Sequence, residues 1–229
     1  MFSVILSRPE SPENIGFVAR AMKTTGFLEL RLAGIPRLDP RCYKTAVHAQ
    51  DILDRAVRYT DLREAVSDLQ VVYAATAKPR KNFQALALPE AVKNMFELPA
   101  RTKIGLLFGN ERTGLTSDEL RRANFLFTIP QARRQPSYNL AAAVLLTLFQ
   151  IFMISPQKKK GRGPRPLTRR NQEEGIRLIL KKLEDKGFIH KTNRRHVTDI
   201  VHDIFGRLAL TERDRSFLLA LFSKGPDGP

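Results

Sequence analysis

Residues 104–115 read IGLLFGNERTGL, and residues 129–149 read IPQARRQPSYNLAAAVLLTLF. In each stretch an apolar segment typical of a buried strand runs into a short polar turn. Gly109 and Gly114 allow backbone angles or close approaches that a side chain would forbid, so main-chain N–H and C=O groups can face a ligand there. In the second stretch, Ser137 or Asn139 can cap the helix that follows. We expect both turns to line one pocket.

The segments around these turns alternate between strand and helix patterns. Apolar runs predict strands at 4–6, 28–32, 71–75, 103–108 and 125–129. Helical spacing and capping residues predict a helix from Pro12 to Gly26, helical turns at 43–49 and 62–67, and helices at 89–95, 117–123 and 137–154. Such alternation predicts an α/β fold with a parallel sheet and helices on both faces.

The composition limits the classes of site and location. The 229 residues have room for one domain with a small appendage. The single cysteine, Cys42, excludes a disulfide within the chain. Because the sequence also shows no signal-peptide pattern, we expect a cytoplasmic location. The four histidines are scattered, so we predict no metal. The apolar run at 140–154 is too short to span a bilayer and predicts a core or interface helix.

The charge points to a polyanionic partner. The formal net charge is +16 and the pI is near 10.5, which favours nucleic acid, although a basic surface kept for solubility is the alternative. We predict a basic linker at 156–170 and a helical appendage at 171–229, with helices at 171–186, at 196–208 and from Thr211 to about residue 224. Residues 155–170 contain no acid and seven basic residues: Lys158, Lys159, Lys160, Arg162, Arg165, Arg169 and Arg170.

A third group of polar residues lies at the start of the first predicted helix. Asn14, Gly16 and Arg20 follow a polar loop, and a helix N-terminus attracts anions, so a phosphate could bind there with Arg20 reaching in. The alternative is that Asn14 is only a turn residue and Arg20 a solvated surface charge. In the same way, the other two turns could be ordinary connections between a strand and a helix. Three polar turns at the ends of parallel strands, however, are where open α/β sheets bind ligands.

These motifs, in this order, carry a family resemblance. The order Asn14-x-Gly16-x-x-x-Arg20, Gly109-x-Glu111-x-x-Gly114-Leu115 and Ser137-x-Asn139-Leu140 resembles the three motifs of the SpoU or TrmH family. These are S-adenosylmethionine-dependent RNA ribose 2′-O-methyltransferases of the SPOUT class. The segment RPESPENIGFVARAMKTTGF, the turn ATAKPR at 75–80, the basic linker and the tail from 187 onward resemble the TrmJ branch, which methylates a tRNA anticodon-loop nucleotide.

The resemblance implies a specific architecture and site. It implies a homodimer and a SPOUT domain at 1–155, with a deep C-terminal trefoil knot made by about 104–154. S-adenosylmethionine would contact three turns through Ala75, Thr76, Ala77, Gly109, Ile129, Pro136, Ser137 and Tyr138. Arg20 would be catalytic in one of two ways. It would act as a base, or it would bind a substrate phosphate and stabilise the charge that develops on the ribose oxygen. Asn14, Glu111, Ser137 and Asn139 would orient it, brace its loop or position substrate.

Three functions are therefore compared. The first is 2′-O-methylation of tRNA in the anticodon loop, at a nucleotide like position 32, with the helical appendage binding the tRNA. The second is the same chemistry on ribosomal RNA. The third is a non-catalytic RNA-binding protein on the same scaffold; Arg20, Glu111, Ser137 and Asn139 together count against it, because a pure binder has no need for this set.

Overall fold

The computed structural model describes residues 1–77, 85–132, 137–154 and 164–223. Within these ranges, seven strands form one sheet in which every neighbouring pair is parallel, in the order β3-β2-β1-β6-β4-β7-β5. The strands are β1 (Phe2–Ser7), β2 (Glu29–Ala33), β3 (Val57–Tyr59), β4 (Val71–Ala75), β5 (Ala85–Ala87), β6 (Ile104–Phe108) and β7 (Phe125–Thr128). The predicted parallel α/β fold is confirmed.

Ten helices accompany the sheet in the described part of the chain. They are α1 (Pro12–Thr25), α2 (Arg41–Thr45), α3 (Gln50–Asp54), α4 (Leu62–Val66), α5 (Leu88–Glu97), α6 (Ser117–Leu120), α7 (Leu140–Ile154), α8 (Arg169–Asp185), α9 (Arg194–Gly206) and α10 (Glu212–Ser223). One large apolar cluster joins a sheet face to α1, α3, α5 and α7, and a second joins the other face to α4 and α6. The sheet is thus covered on both faces, as a parallel sheet requires.

The strand order places the carboxyl ends of three strands side by side. The chain runs from β1 outward through β2 to β3, and β4 then begins the other half of the sheet, with β6 inserted between β1 and β4. The connections therefore reverse direction at β1, β6 and β4. In open α/β sheets such a reversal opens a crevice at the carboxyl ends of the strands, which is a usual place for a ligand.

Several predicted boundaries differ from the structure. Three short elements were not predicted: α3 and the two edge strands, β3 and β5. Each is only three to five residues long, and the two strands also lack buried side chains. The helix predicted at 117–123 ends at Leu120, where Asn124 turns back to β4 and its N–H donates to Val72 O at 2.8 Å. The helix predicted from 137 starts at Leu140, because Asn139 caps it.

The C-terminal helices pack on one another and on the sheet. Ile176, Ile179 and Val201 form a small apolar cluster between α8 and α9. The backbone at the start of α8 binds the turn after α4, where Arg169 N–H donates to Leu69 O at 2.7 Å. Arg169 and Arg170, which the sequence analysis assigned to the linker, form the first turn of α8. The domain boundaries at 155 and 170 stay predictions.

Within the described ranges, α7 and every other helix are too short or too polar to cross a membrane.

Candidate functional site

A cavity of about 290 Å³ opens at the carboxyl ends of β4, β6 and β7. Its walls are the turns after these strands and the start of α7, which brings together the two turns that the sequence pattern predicted to share a pocket. It is lined by Ala75, Thr76, Ala77, Phe108, Gly109, Asn110, Glu111, Arg112, Thr113, Gly114, Leu115, Ile129, Gln131, Ser137, Tyr138, Leu140 and Ala143.

Asn110 shapes the turn after β6. Its side-chain oxygen accepts the N–H groups of Arg112 and Thr113 at 2.9 and 3.1 Å, and its Nδ2 donates to Arg8 O at 2.9 Å. The turn folds tightly on itself, because a Cβ added to Gly109 would lie 2.5 Å from the backbone of Gly114. Gly114 has φ +67°, a left-handed conformation that glycine adopts without strain. The two motif glycines therefore keep backbone, not side chains, against the cavity.

Glu111 ties this turn to the loop before α1. Its carboxylate accepts the N–H groups of Glu10 and Ser11 at 2.8 and 3.1 Å and Asn14 Nδ2 at 3.0 Å. Burial raises the pKa of Glu111, but the hydrogen bonds from Asn14 and the two backbone groups outweigh it and hold the pKa below its usual range. A carboxylate held ionised by three donors is a poor proton acceptor, so it acts as a brace.

Asn139 extends the same network to α7. Asn139 Nδ2 donates to Asn14 Oδ1 at 3.0 Å, and Asn139 Oδ1 accepts Ala141 N–H at 2.9 Å as the cap of α7. Tyr138 adds a further link, since its hydroxyl donates to Pro130 O at 2.9 Å. One polar side chain of each motif thus meets the others beside the cavity, namely Asn14, Glu111 and Asn139, and the N-termini of α1 and α7 lie together.

Gly16 explains the spacing of the first motif. A Cβ at this position would lie 2.1 Å from Cys42 O in α2, so only glycine lets α1 approach α2 this closely. Thr45 closes the same contact by donating its hydroxyl to Glu13 O at 2.9 Å. This packing against α2 holds the start of α1 in place, with Ser11 as its cap and Asn14 in its first turn.

Arg20 lies apart from the cavity of its own chain. It is exposed on α1 and does not line the cavity, and no described residue accepts a hydrogen bond from its guanidinium. Of the predicted catalytic set, Glu111 and Ser137 line the cavity, and Asn14 and Asn139 contact it through the network. All predicted cofactor contacts line the cavity except Pro136, which lies outside the described residues, as do Arg133, Arg134, residues 78–80 and most of the basic linker.

Glu119, a buried acid next to the site, is not among the residues predicted from the sequence. Its carboxylate accepts the Ser7 hydroxyl, Arg8 Nη2 at 2.8 Å and Thr116 N–H at 2.7 Å. It thereby anchors the loop after β1, whose N–H groups hold Glu111. Thr116 and Glu119 form a capping box at α6, and the T-x-x-E spacing is the signal that identifies this acid in the sequence.

Nothing in the described ranges groups three or more His, Cys, Asp or Glu side chains in a way that could hold a metal ion. The absence of a metal in the working protein stays a prediction.

Known proteins share this sequence and fold. The model of the SpoU rRNA Methylase family matches residues 1–149. The tRNA (cytidine-2′-O-)-methyltransferase TrmJ of Methanocaldococcus jannaschii is 32% identical over 91% of this chain and 90% of its own length. The crystal structure of TrmJ from Z. mobilis ZM4 has a TM-score of 0.83 at 26% identity, covering 97% of this chain and 98% of that one.

A further structure comes from work on 2-OH methylation of C/U34 on tRNA. It has a TM-score of 0.56 at 25% identity and covers 69% of this chain and 98% of its own. The family model covers the segment that holds all three motifs, and the TrmJ relatives extend through the C-terminal helices. The resemblance carried by Asn14, Glu111 and Asn139 is confirmed, and the chain belongs to the SpoU rRNA Methylase family.

Proposed function

We propose that this protein is an S-adenosylmethionine-dependent ribose 2′-O-methyltransferase that acts on the anticodon loop of tRNA. The observation that carries the proposal is one cavity lined by the second and third motif turns, with the first motif joined to both beside it, because Asn14 is hydrogen-bonded to Glu111 and to Asn139. Relatives named as tRNA 2′-O-methyltransferases match over nine-tenths of the chain, which supports the tRNA substrate over ribosomal RNA.

The residues of the cavity suit the donor. Ile129, Leu140 and Ala143 offer apolar surface for a purine ring, while the backbone at 75–77 and 109–115 offers polar groups for its edge. The Gly109 turn, which a Cβ would fill, keeps this backbone accessible. When bound, S-adenosylmethionine supplies a methyl group on a positively charged sulfur. Ser137 and Tyr138 lie on the opposite turn, where they would orient the donor or the ribose.

The protein's part in the reaction is alignment and charge. A ribose hydroxyl must approach in line, and residues that hold it there remove much of the entropic part of the barrier. The proton that the hydroxyl loses passes to solvent. A guanidinium offers hydrogen-bond donors and no acceptor, so we assign Arg20 to holding a substrate phosphate and stabilising the charge that develops on the ribose oxygen. Glu111 and Asn139 hold Asn14 and the α1 N-terminus in position for this substrate.

A homodimer is the proposed working form, and α7 supplies the reason. Leu145, Leu146, Phe149, Phe152 and Met153 are each 38 to 51% exposed and fall along one face of this helix. An apolar stripe of this kind marks an interaction surface more often than a free one. The stripe supports pairing with a second copy of the chain.

Such a dimer accounts for the position of Arg20. The Asn14–Asn139 bond sets the N-termini of α1 and α7 level, and α1 packs against α7. Arg20 follows Asn14 by six residues and Leu145 follows Asn139 by six, so both lie about 9 Å along their helices. With Phe17 exposed one turn before it, Arg20 would lie in the dimer contact, next to the partner copy.

The trefoil knot at about 104–154 is part of the same proposal. Two observations support it: β6 is inserted between β1 and β4, and β7 between β4 and β5, so later strands enter between earlier ones. Knots are rare exceptions among folds, and this family implies one. The cytoplasmic location expected from the sequence stays a prediction.

The test is methyl transfer by the purified protein. Labelled S-adenosylmethionine is incubated with tRNA and, separately, with ribosomal RNA, and the methylated nucleoside is identified by mass spectrometry after digestion. We expect ribose-methylated nucleoside from tRNA and little from ribosomal RNA. Mapping the site separates a position like 32 from position 34, named for the related structure. Transfer to ribosomal RNA alone would instead support the ribosomal alternative, and no transfer to either RNA together with no donor binding by calorimetry would support the non-catalytic one.

The role of Arg20 and the dimer have their own variants. Arg20→Ala should abolish turnover while the affinity for S-adenosylhomocysteine stays within about twofold, because Arg20 does not line the cavity. Phe149→Glu should produce a monomer in analytical ultracentrifugation. Phe217→Glu, a matched change on α10 at an even more exposed phenylalanine, should leave the dimer intact. A dimeric Phe149→Glu protein would rule out the α7 stripe as the contact.

A further inference from the structure

A second cleft, of about 450 Å³, lies between the helices that cover one face of the sheet and the C-terminal helices. Its walls come from α4, α6 and the turn after α6 on one side and from α8 and α9 on the other. It is distinct from the donor cavity, since the two share no lining residue. Its lining includes five arginines, namely Arg63, Arg121, Arg122, Arg169 and Arg177.

Arg169 is buried in this cleft without a complete set of partners. It is 4% exposed; its Nη1 donates to Gln172 Oε1 and Gly206 O, both at 3.0 Å, but its Nε reaches no acceptor among the described residues. Burial lowers the pKa of Arg169 to about 10, so the group still carries its charge at neutral pH. A desolvated cation with an unused donor is costly unless an anion meets it.

The acids of the cleft do not neutralise its arginines. Glu173, the central carboxylate, is shared by Arg63 and Arg122, each at 3.0 Å. Asp118 pairs with Arg121 at 2.8 Å, and Asp203, just outside the lining, lies 3.6 Å from the same guanidinium. With Asp199, four acids face five arginines, which leaves a formal excess of one positive charge.

Arg177 contributes to this excess most freely. It lies exposed on α8 at the edge of the cleft, and no carboxylate in the described part of the chain pairs with it. Together with the buried Arg169, it gives the cleft one deep and one exposed guanidinium. Guanidinium groups bind phosphate oxygens with paired, charge-assisted hydrogen bonds.

We propose that this cleft binds a backbone phosphate of the RNA substrate and so fixes the RNA at the junction of the sheet and the C-terminal helices. The inference rests on the proposed function for the identity of the RNA, and on the arginine cluster for the site. A phosphate in the cleft would occupy the unpaired Arg169 donor and offset the excess charge. It would also hold α8 and α9 against the sheet while the anticodon loop reaches the donor cavity.

Salt-dependent RNA binding tests the site. Binding of fluorescent tRNA is measured by anisotropy between about 50 and 300 mM salt for the full-length protein, Arg177→Gln, and Arg63→Gln/Arg177→Gln. Removing one phosphate-binding guanidinium should reduce the slope of log Kd against log salt by about 0.7 to 1. We expect Arg177→Gln to weaken binding several-fold, and the double variant to weaken it further, for tRNA and for an unrelated RNA of equal length alike.

Two controls keep the outcome interpretable. Arg213→Gln removes the same charge from the exposed surface of α10, away from the cleft, and should leave the slope unchanged. S-adenosylhomocysteine affinity should be equal in all variants, because none of these residues lines the donor cavity. A reduced slope in a protein that transfers no methyl group would uphold the phosphate site and defeat only the proposed function.

Two results would overturn the proposal. The first is a slope for the double variant equal to that of Arg213→Gln. The second is a cleft that takes free phosphate only: about 10 mM inorganic phosphate would raise the melting temperature of the wild type but not of the double variant, while RNA binding stayed the same in both.

Discussion

Replacing Glu111 with glutamine should detach the β6 turn from the loop before α1. The carboxylate accepts three hydrogen bonds, at 2.8, 3.1 and 3.0 Å, whereas a glutamine amide accepts through one oxygen and donates through its nitrogen. If that oxygen keeps Ser11 N–H and Asn14 Nδ2, the new NH2 group faces the Glu10 N–H. One hydrogen bond then disappears and the other two are no longer strengthened by the charge.

The magnitude follows from the exposure of the site. Hydrogen bonds to a charged group contribute about 1.5 to 3 kcal/mol when buried, but Glu111 is half-buried and Glu10 is exposed, so water replaces part of the loss. We expect a decrease of about 1 to 2 kcal/mol in the free energy of unfolding. For a chain of this length, that corresponds to a drop of about 2 to 8 °C in Tm. The affinity for S-adenosylhomocysteine should fall as well, because this turn lines the cavity.

Urea unfolding and calorimetric titration measure the two effects. Glu97→Gln is the matched control: this glutamate is exposed at the end of α5, and its substitution should change stability by less than about 0.5 kcal/mol. A Glu111→Gln protein as stable as this control, with unchanged affinity for S-adenosylhomocysteine, would refute the bracing role.

Three further changes test other contacts. Gly109→Ala should weaken S-adenosylhomocysteine binding at least about tenfold in calorimetry, because the new Cβ would lie 2.5 Å from the Gly114 backbone. Unchanged binding would show that the turn can rearrange without disturbing the donor site. Asn139→Asp keeps an acceptor for the α7 cap but replaces the donor to Asn14, so methyl transfer should fall more than Tm; equal losses would contradict this. The hydrogen bond from Arg31 lowers the pKa of Asp68 to about 2, so this carboxylate stabilises the fold above pH 4 and loses its effect as the pH falls towards 2. The stability gap between wild type and Asp68→Asn in urea should therefore close across that interval, and a gap independent of pH would contradict it.

The sequence predicts the centre of the sheet better than its edges. The strand pattern at 71–75 coincides with β4, and those at 103–108 and 125–129 match β6 and β7 within one residue, because strands buried on both faces are continuous apolar runs. The edge strands β3 and β5 have half-buried or exposed side chains and only three residues each, so no such run marks them. Their pairing depends on the neighbouring strand, which a local pattern does not contain.

The candidate site likewise has parts that a local sequence pattern predicts and parts that depend on tertiary packing. Polar turns after buried strands predict which segments meet, and Glu111 and Ser137 were found on that basis. The bond between Asn14 and Asn139 joins residues 125 positions apart and depends on how α1 and α7 pack. Arg20 is a further case, because it is exposed on α1 and its role depends on the proposed dimer, which a single-chain pattern does not contain. Arg169 looks like part of a flexible basic run in sequence, yet it is buried through the docking of α8 on the sheet.

A crystal structure with S-adenosylhomocysteine shows whether the donor binds where the motif turns meet. We expect the nucleoside in the cavity at the carboxyl ends of β4, β6 and β7, in contact with the backbone at 75–77 and 109–115 and with Ile129 and Tyr138. We also expect a second copy of the chain against α7, with Arg20 in the contact. A nucleoside bound elsewhere, or in this cavity without touching the turn at Gly109, would contradict the proposed donor site.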